Sequence, residues 1–188
     1  MGIVLTGGKS SRMGTNKALL EYHGMAQVGY LAQLLDAYCI QVWASVKNED
    51  SKILLPQLTD QFDLNSPLNG IATAMKQVKN HALLVVPCDM PFIDAGLIEF
   101  LINQSGNNMD FWGFYDSNGS RPEPLLGIWE PSSFSKTMDF IKENKSPRDL
   151  IENHLNTHLF SVPDKKYLVN INDREAVRKY FPDRKDLL

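Results

Sequence analysis

The chain has 188 residues, of which 43% are hydrophobic, 22% charged and 10% aromatic, enough to bury a core without disulfide or metal staples. Its 19 Lys and Arg against 22 Asp and Glu leave a net charge of −3 without long blocks, whereas a nucleic-acid binder wants a basic face to displace counterions. The longest apolar run, residues 82–86, is far short of the ~20 needed to span a bilayer.

The first residues carry no basic segment followed by a hydrophobic stretch and a cleavage site, which argues against secretion. Cys39 and Cys88 lie far apart and without metal-ligand spacing, as in a reduced, cytoplasmic protein. In chain order, residues 3–6 read as a buried strand running into a Gly/Ser/Lys loop. Residues 27–38 carry a helical stripe of Val28, Leu31, Ala32, Leu34, Leu35 and Tyr38. Residues 40–46 form a second strand, Leu68–Val78 a second helix, and 82–86 a third strand stopped by Pro87. Asp94 is placed to cap a helix over 95–102. Strands over 110–115 and 125–129 flank a turn-rich loop, and helices follow at 133–143 and 148–154. Strands near 159–162 and 167–171 precede a last helix over 173–180.

Short apolar strands alternating with helices predict an α/β, doubly wound, mostly parallel Rossmann-like sheet covered on both faces. Residues 110–129 add an antiparallel element. A single domain over 1–188 is expected, with its ligand at the carboxyl ends of the strands.

The densest chemistry is Thr6-Gly7-Gly8-Lys9-Ser10-Ser11-Arg12-Met13-Gly14-Thr15-Asn16-Lys17. After a strand, such a loop turns backbone N–H groups toward an anion. Gly7 and Gly8 let the main chain approach a nucleotide, and Arg12 and Lys17 carry the charge that triphosphate oxygens require. No register supplies the Walker pattern of glycine, four residues and Gly-Lys-Ser/Thr, and Lys9 after the glycine pair breaks G-x-G-x-x-G.

Residues 5–14 with Lys17 resemble the signature of the nucleotidyltransferases that act on the molybdenum cofactor, the MobA-like family. The resemblance continues in order through Asp60 with Ser66-Pro67-Leu68-Asn69-Gly70, Pro87-Cys88-Asp89-Met90-Pro91, Arg121-Pro122-Glu123-Pro124-Leu125 and Asn170-Ile171-Asn172. Gly7-Gly8 and Asp89-Met90-Pro91 follow the guanine-type version rather than the cytidylyl type. Asn16, Ser45 and Ser66 depart from the family's usual aspartate, asparagine and glycine, and bear on base selectivity.

The resemblance implies transfer of GMP from GTP to molybdopterin-bound molybdenum cofactor, with Mg²⁺ at Asp89 and pyrophosphate as leaving group. It implies catalytic roles for Arg12, Lys17 and Asp89. Leu5, Thr6, Gly7 and Gly8, with Lys17, Ser45, Asp60 and Asp89, would hold the nucleotide. Arg121, Asn170 and Asn172 would hold the acceptor. A carboxylate past a buried strand suits Mg²⁺, which takes one or two carboxylates plus substrate phosphates; the plain alternative for Asp89 is a turn cap. Asn170 and Asn172 share one face of the expected strand, with Asx turns as their alternative, and Arg121 alone reads equally as a surface-loop residue. Cofactor-biosynthesis proteins and recipient molybdoenzymes are the implied protein partners. A sister transferase using CTP or another phosphorylated acceptor, or a nucleotide-binding domain without turnover, are the competing readings.

Overall fold

Gly2–Leu5 forms β1, and all four residues are buried, as a strand covered on both faces requires. The computed structural model describes residues 1–7, 16–106, 108–143, 146–184 and 187. After β1 come a 3-10 turn (Lys17–Leu19), α1 (Gln27–Asp36), β2 (Val42–Val46), β3 (Gln57–Thr59), α2 (Leu68–Val78) and β4 (Leu83–Pro87). Then follow α3 (Ala95–Gln104), β5 (Phe111–Tyr115), β6 (Pro122–Trp129), α4 (Ser132–Phe140), α5 (Pro147–His154), β7 (Thr157–Phe160) and α6 (Arg174–Tyr180).

The strands make one seven-stranded sheet in the order β3-β2-β1-β4-β6-β5-β7. β1 lies parallel to both β2 and β4, while β6 runs antiparallel to β4 and β5. The sheet is therefore mostly parallel with one reversed strand, as the sequence predicts. The chain leaves β1 toward β2 and returns on its other side as β4, so the direction of winding changes at β1. A crevice opens beyond the carboxyl ends of such strands. Register levels those ends, with Leu5 beside Ser45 of β2 and Pro87 of β4.

Alternation along the strands feeds two cores. Val4, Ala44 and Val86 join Leu31, Leu35 and Ile98 of α1 and α3. Ile3, Leu5, Trp43 and Val85 join Leu68, Ile71 and Leu150 of α2 and α5. A smaller cluster packs Val177 of α6 and Ile171 against Leu20 and Tyr22. Among the described residues no helix is long and apolar enough to cross a membrane.

α2 begins and ends where the periodicity predicts, and Asp94 caps α3 by accepting from the Leu97 N–H. One strand was not expected, and one expectation needs correction. Residues 57–59, too short and mixed to stand out, form an edge strand beside β2. Residues 167–171 do not join the sheet: Asp164 caps a 3-10 turn over Lys165–Leu168, and Tyr167 donates its hydroxyl to Asp94 at 2.8 Å. The following Ile171 N–H goes to the Asp89 carbonyl at 2.8 Å rather than to a ladder. Alternating apolar residues mark a pleated or extended backbone, but only available edge partners turn it into a strand.

Candidate functional site

The levelled ends of β1, β2 and β4 carry the first part of the site. Thr6 donates its N–H (3.2 Å) and its hydroxyl (2.5 Å) to the Ser45 carbonyl, and Cys88 N–H bonds the Leu5 carbonyl at 3.0 Å. These bonds bring the start of the glycine loop beside the residues that follow β4. Gly7 is exposed, and a Cβ there meets nothing within 4 Å among the described residues. Gly8 and Arg12 lie outside the described residues.

Leu5 and Ser45 are buried. The Ser45 hydroxyl faces Gly70 of α2, where any Cβ would overlap it and sit 3.2 Å from Leu5 Cδ2. Asp60 follows β3 and donates its N–H to the Val46 carbonyl at 3.0 Å; burial pushes its carboxyl up, against the opposing charge of Lys47. Asn69 supports the intervening segment: its Oδ1 accepts from Phe62 N–H at 3.1 Å and its Nδ2 donates to the Phe62 carbonyl.

Asp89 lies just past β4. Burial raises its carboxyl pKa, while the charge of Lys17 and a backbone hydrogen bond work the other way. Lys17 comes from the 3-10 turn that Asn16 caps through Ala18 N–H, and its Nζ donates to Asn172 Oδ1 at 2.5 Å. Asn170 turns its amide nitrogen to both carboxylate oxygens of Asp89, at 3.1 and 3.3 Å, the orientation in which donor meets acceptor. The structure thus gathers Lys17, Asp89, Asn170 and Asn172 from opposite ends of the chain, although the asparagines sit on an extended segment outside the sheet. Neighbouring Cys88 is buried, its thiol pushed up to about 12 by burial and then by the Asp89 charge, so it is no nucleophile.

From Asn170 and Asn172 a cleft of about 830 Å³ extends past Ser66, Glu123 and Arg148, within the size range of small-molecule sites. Arg121 borders it but is exposed, and its guanidinium makes a two-pronged bond to Glu152 at 2.7 and 2.6 Å. Arg148, in the first turn of α5, donates Nε to the Pro122 carbonyl at 3.0 Å. Glu123 stands between buried Pro122 and Pro124, and Oε1 accepts the Leu125 N–H at 3.2 Å. Burial raises its pKa, opposed by that N–H and by Arg148 and reinforced by Asp89.

Sequence reasoning assigned no role to Glu123 or Arg148. Glu123 lay within a recognised motif in which only Arg121 was given a role. Arg148 carried no local signal beyond its place after Ser146, whose capping box with Asp149 starts α5.

A doubly wound α/β sheet with a lysine and a half-buried acid converging at its switch point is the layout of a nucleotide-handling domain. The family model of the MobA-like NTP transferase domain matches residues 2–158; the chain belongs to that family and is a nucleotidyltransferase. It is 34% identical over 134 residues to a molybdenum cofactor biosynthesis bifunctional protein of Synechocystis, covering 69% of this chain and 39% of that protein. It is 33% identical over 132 residues to a probable molybdenum cofactor guanylyltransferase of Carboxydothermus hydrogenoformans, covering 70% of this chain and 66% of the relative. Both matches span less than two thirds of the relative's length. The crystal structure of molybdopterin-guanine dinucleotide biosynthesis protein A from Archaeoglobus fulgidus has a similar fold, with TM-score 0.75, 21% identity, and 95% and 96% of the two chains covered.

Proposed function

We propose that the chain transfers GMP from GTP to the phosphate of molybdopterin-bound molybdenum cofactor, in the cytoplasm, forming the guanine dinucleotide and releasing pyrophosphate. The observation that supports this most is the meeting of Lys17 and Asp89, bridged by Asn172 and Asn170, at the sheet's switch point. The names of the two relatives and of the similar fold point to the same chemistry.

In this reading, an acceptor phosphate oxygen attacks the α-phosphorus of GTP. The bond to the oxygen bridging the α- and β-phosphorus breaks, and its electron pair leaves with pyrophosphate. The nucleophile is already anionic, so the protein's task is alignment and charge compensation. Lys17 supplies a cation for the triphosphate, and the exposed backbone at Gly7 supplies a donor. The base and ribose would lie toward Asp60, beyond the ends of β2 and β3. Arg12 would assist the leaving pyrophosphate.

The donors around Asp89 fit Mg²⁺: one half-buried carboxylate beside the Asn170 amide leaves the remaining positions to phosphate oxygens and water. When bound, that ion would compensate phosphate charge as the α-phosphorus is attacked. Its hold would rest on Asp89, which Asn170 orients.

The decisive assay offers GTP or CTP with Mg²⁺, with and without molybdopterin, and follows pyrophosphate and dinucleotide product. GTP- and pterin-dependent product is expected, falling by at least about a hundredfold in Asp89→Asn. Equal turnover of CTP, product without the pterin, or an active Asp89→Asn would overturn the reading.

A further inference from the structure

We propose that Asp50 is a positioning residue for the triphosphate site: acting through Asn16, it fixes the turn that presents Lys17. This deepens the functional reading above and rests on it. The group that meets the nucleotide is Lys17, and Asn16 and Asp50 act through it.

Asn16 stands between the glycine-rich loop and Lys17 and uses both ends of its amide. Its Oδ1 accepts the Ala18 N–H at 3.1 Å, the bond that caps the 3-10 turn. Its Nδ2 donates to Asp50 Oδ2 at 3.0 Å, from a residue 34 positions away in the chain. An acceptor and a donor on one short side chain are what these two bonds require. A carboxylate at position 16 could cap the turn but not donate, and it would oppose Asp50 across the 3.0 Å that the amide now bridges. Asp50 thus gives a physical reason for asparagine here, where the resembling signature has aspartate.

Asp50 is itself held from several sides. Its Oδ1 accepts the Lys52 N–H at 3.0 Å. Gln57, the first residue of β3, accepts the Asp50 N–H on Oε1 and donates Nε2 to the Asp50 carbonyl, both at 2.9 Å. That carbonyl also accepts the N–H of Ile53 at 2.9 Å, a buried residue of the core beside α1. Gln57 in turn pairs with Ala44 in the sheet. The Asp50 carboxylate is therefore placed by β2 and β3, and through Asn16 it passes that placement to Lys17. One end of Lys17 is set by this bond, and the other by Asn172. The ends of β2 and β3 lead on to Asp60, so the same bond ties the side proposed for the base to the cation proposed for the phosphates.

The test is isothermal titration of the full chain with GTP and with CTP, each with Mg²⁺, well below the Tm measured for each variant. Loss of stability alone then moves the Tm and leaves the affinity unchanged. The variants are Asn16→Asp, Asp50→Ala, and the exchange of the two side chains, Asn16→Asp with Asp50→Asn. The exchange can keep every bond: the new carboxylate caps the Ala18 N–H and accepts from the new amide, whose oxygen keeps the Lys52 N–H. Each single variant is expected to weaken GTP binding about tenfold or more, the loss of a charge-assisted hydrogen bond. The exchange is expected to return it to within about threefold of wild type. Asp50→Ala separates positioning from charge, because removing an anion near a triphosphate would by Coulomb's law alone tighten binding.

An Asp50→Ala protein that binds GTP as well as wild type, or better, overturns the inference. So does an exchange variant no better than Asn16→Asp. The same pattern read with CTP supports the positioning role and overturns the choice of base. A wild-type chain that binds neither nucleotide overturns the functional reading and this inference with it; a wild type that binds, with unaltered single variants, overturns the inference alone.

Discussion

Gly70→Ala tests how tightly α2 is seated against the strand ends. A Cβ at this position overlaps the Ser45 hydroxyl, lies 3.1 Å from Ser45 Cβ and 3.2 Å from Leu5 Cδ2. Ser45 is 5% exposed and Leu5 5%, so neither side chain has room to yield. Overpacking a closed core costs about 1–3 kcal/mol, and an overlap this deep belongs at the upper end. Alanine returns about 1 kcal/mol through its better helix propensity. The net loss is about 2 kcal/mol, a Tm lower by about 4–8 °C for a chain of this size. Because β1 and β2 end at the nucleotide side of the site, the GTP KM should rise as well. Thermal unfolding followed by circular dichroism reads the first effect, and pyrophosphate release the second. Replacing Ser45 with glycine in the same chain removes both the hydroxyl and its Cβ, and should restore most of the lost Tm. A Gly70→Ala protein as stable as wild type would refute the close-approach argument, and so would a double variant no better than the single.

Three further outcomes follow from other parts of the molecule. Lys17→Ala removes the cation that meets Asn172 and opposes the Asp89 charge; isothermal titration should show GTP binding weaker by about 10- to 100-fold, and unchanged binding would exclude Lys17 from the phosphate site. Tyr22 carries a buried hydroxyl with no hydrogen-bond partner among the described residues, and burial, then Cys88 and Asp89, push its pKa upward. Tyr22→Phe should raise stability by about 1 kcal/mol by removing that desolvated group, and a fall in Tm would show an unseen partner. At Asp110, burial raises the carboxyl pKa, but hydrogen bonds from Lys136, Asn156 N–H and Ser132 outweigh it and hold the value below 3.8. A depressed folded-state value means that this stabilisation is complete above pH 3.8 and is lost as pH falls through the lower value. Asp110→Asn should therefore cost about 1–3 kcal/mol near neutral pH and less in acid, read from Tm against pH; a constant deficit would refute the linkage.

Features set by neighbours a few residues apart were legible in the amino-acid order. The stripe over Leu68–Val78, the Asp94 cap and the continuous apolar runs of β1, β2 and β4 all depend on local periodicity or on side-chain reach within one turn. The motifs carrying Asp89 and Lys17 were legible too, Asp89 just past β4 and Lys17 at the end of the glycine loop, but their meeting was not. The edge strand β3 and the turn over Lys165–Leu168 were not, because a short segment becomes a strand or leaves the sheet according to what lies alongside it.

Tertiary structure decided which side chains meet. Lys17 and Asn172 are 155 residues apart in the chain, and Arg121 and Glu152 are 31 apart. No local pattern shows that Glu152 occupies Arg121, or that the charge of Arg148 reaches Glu123. The order of residues specified each donor and acceptor; sheet order and helix placement selected their partners. A hydrogen bond or ion pair depends on distances of a few ångströms, and across such separations in the chain only the packed fold sets them.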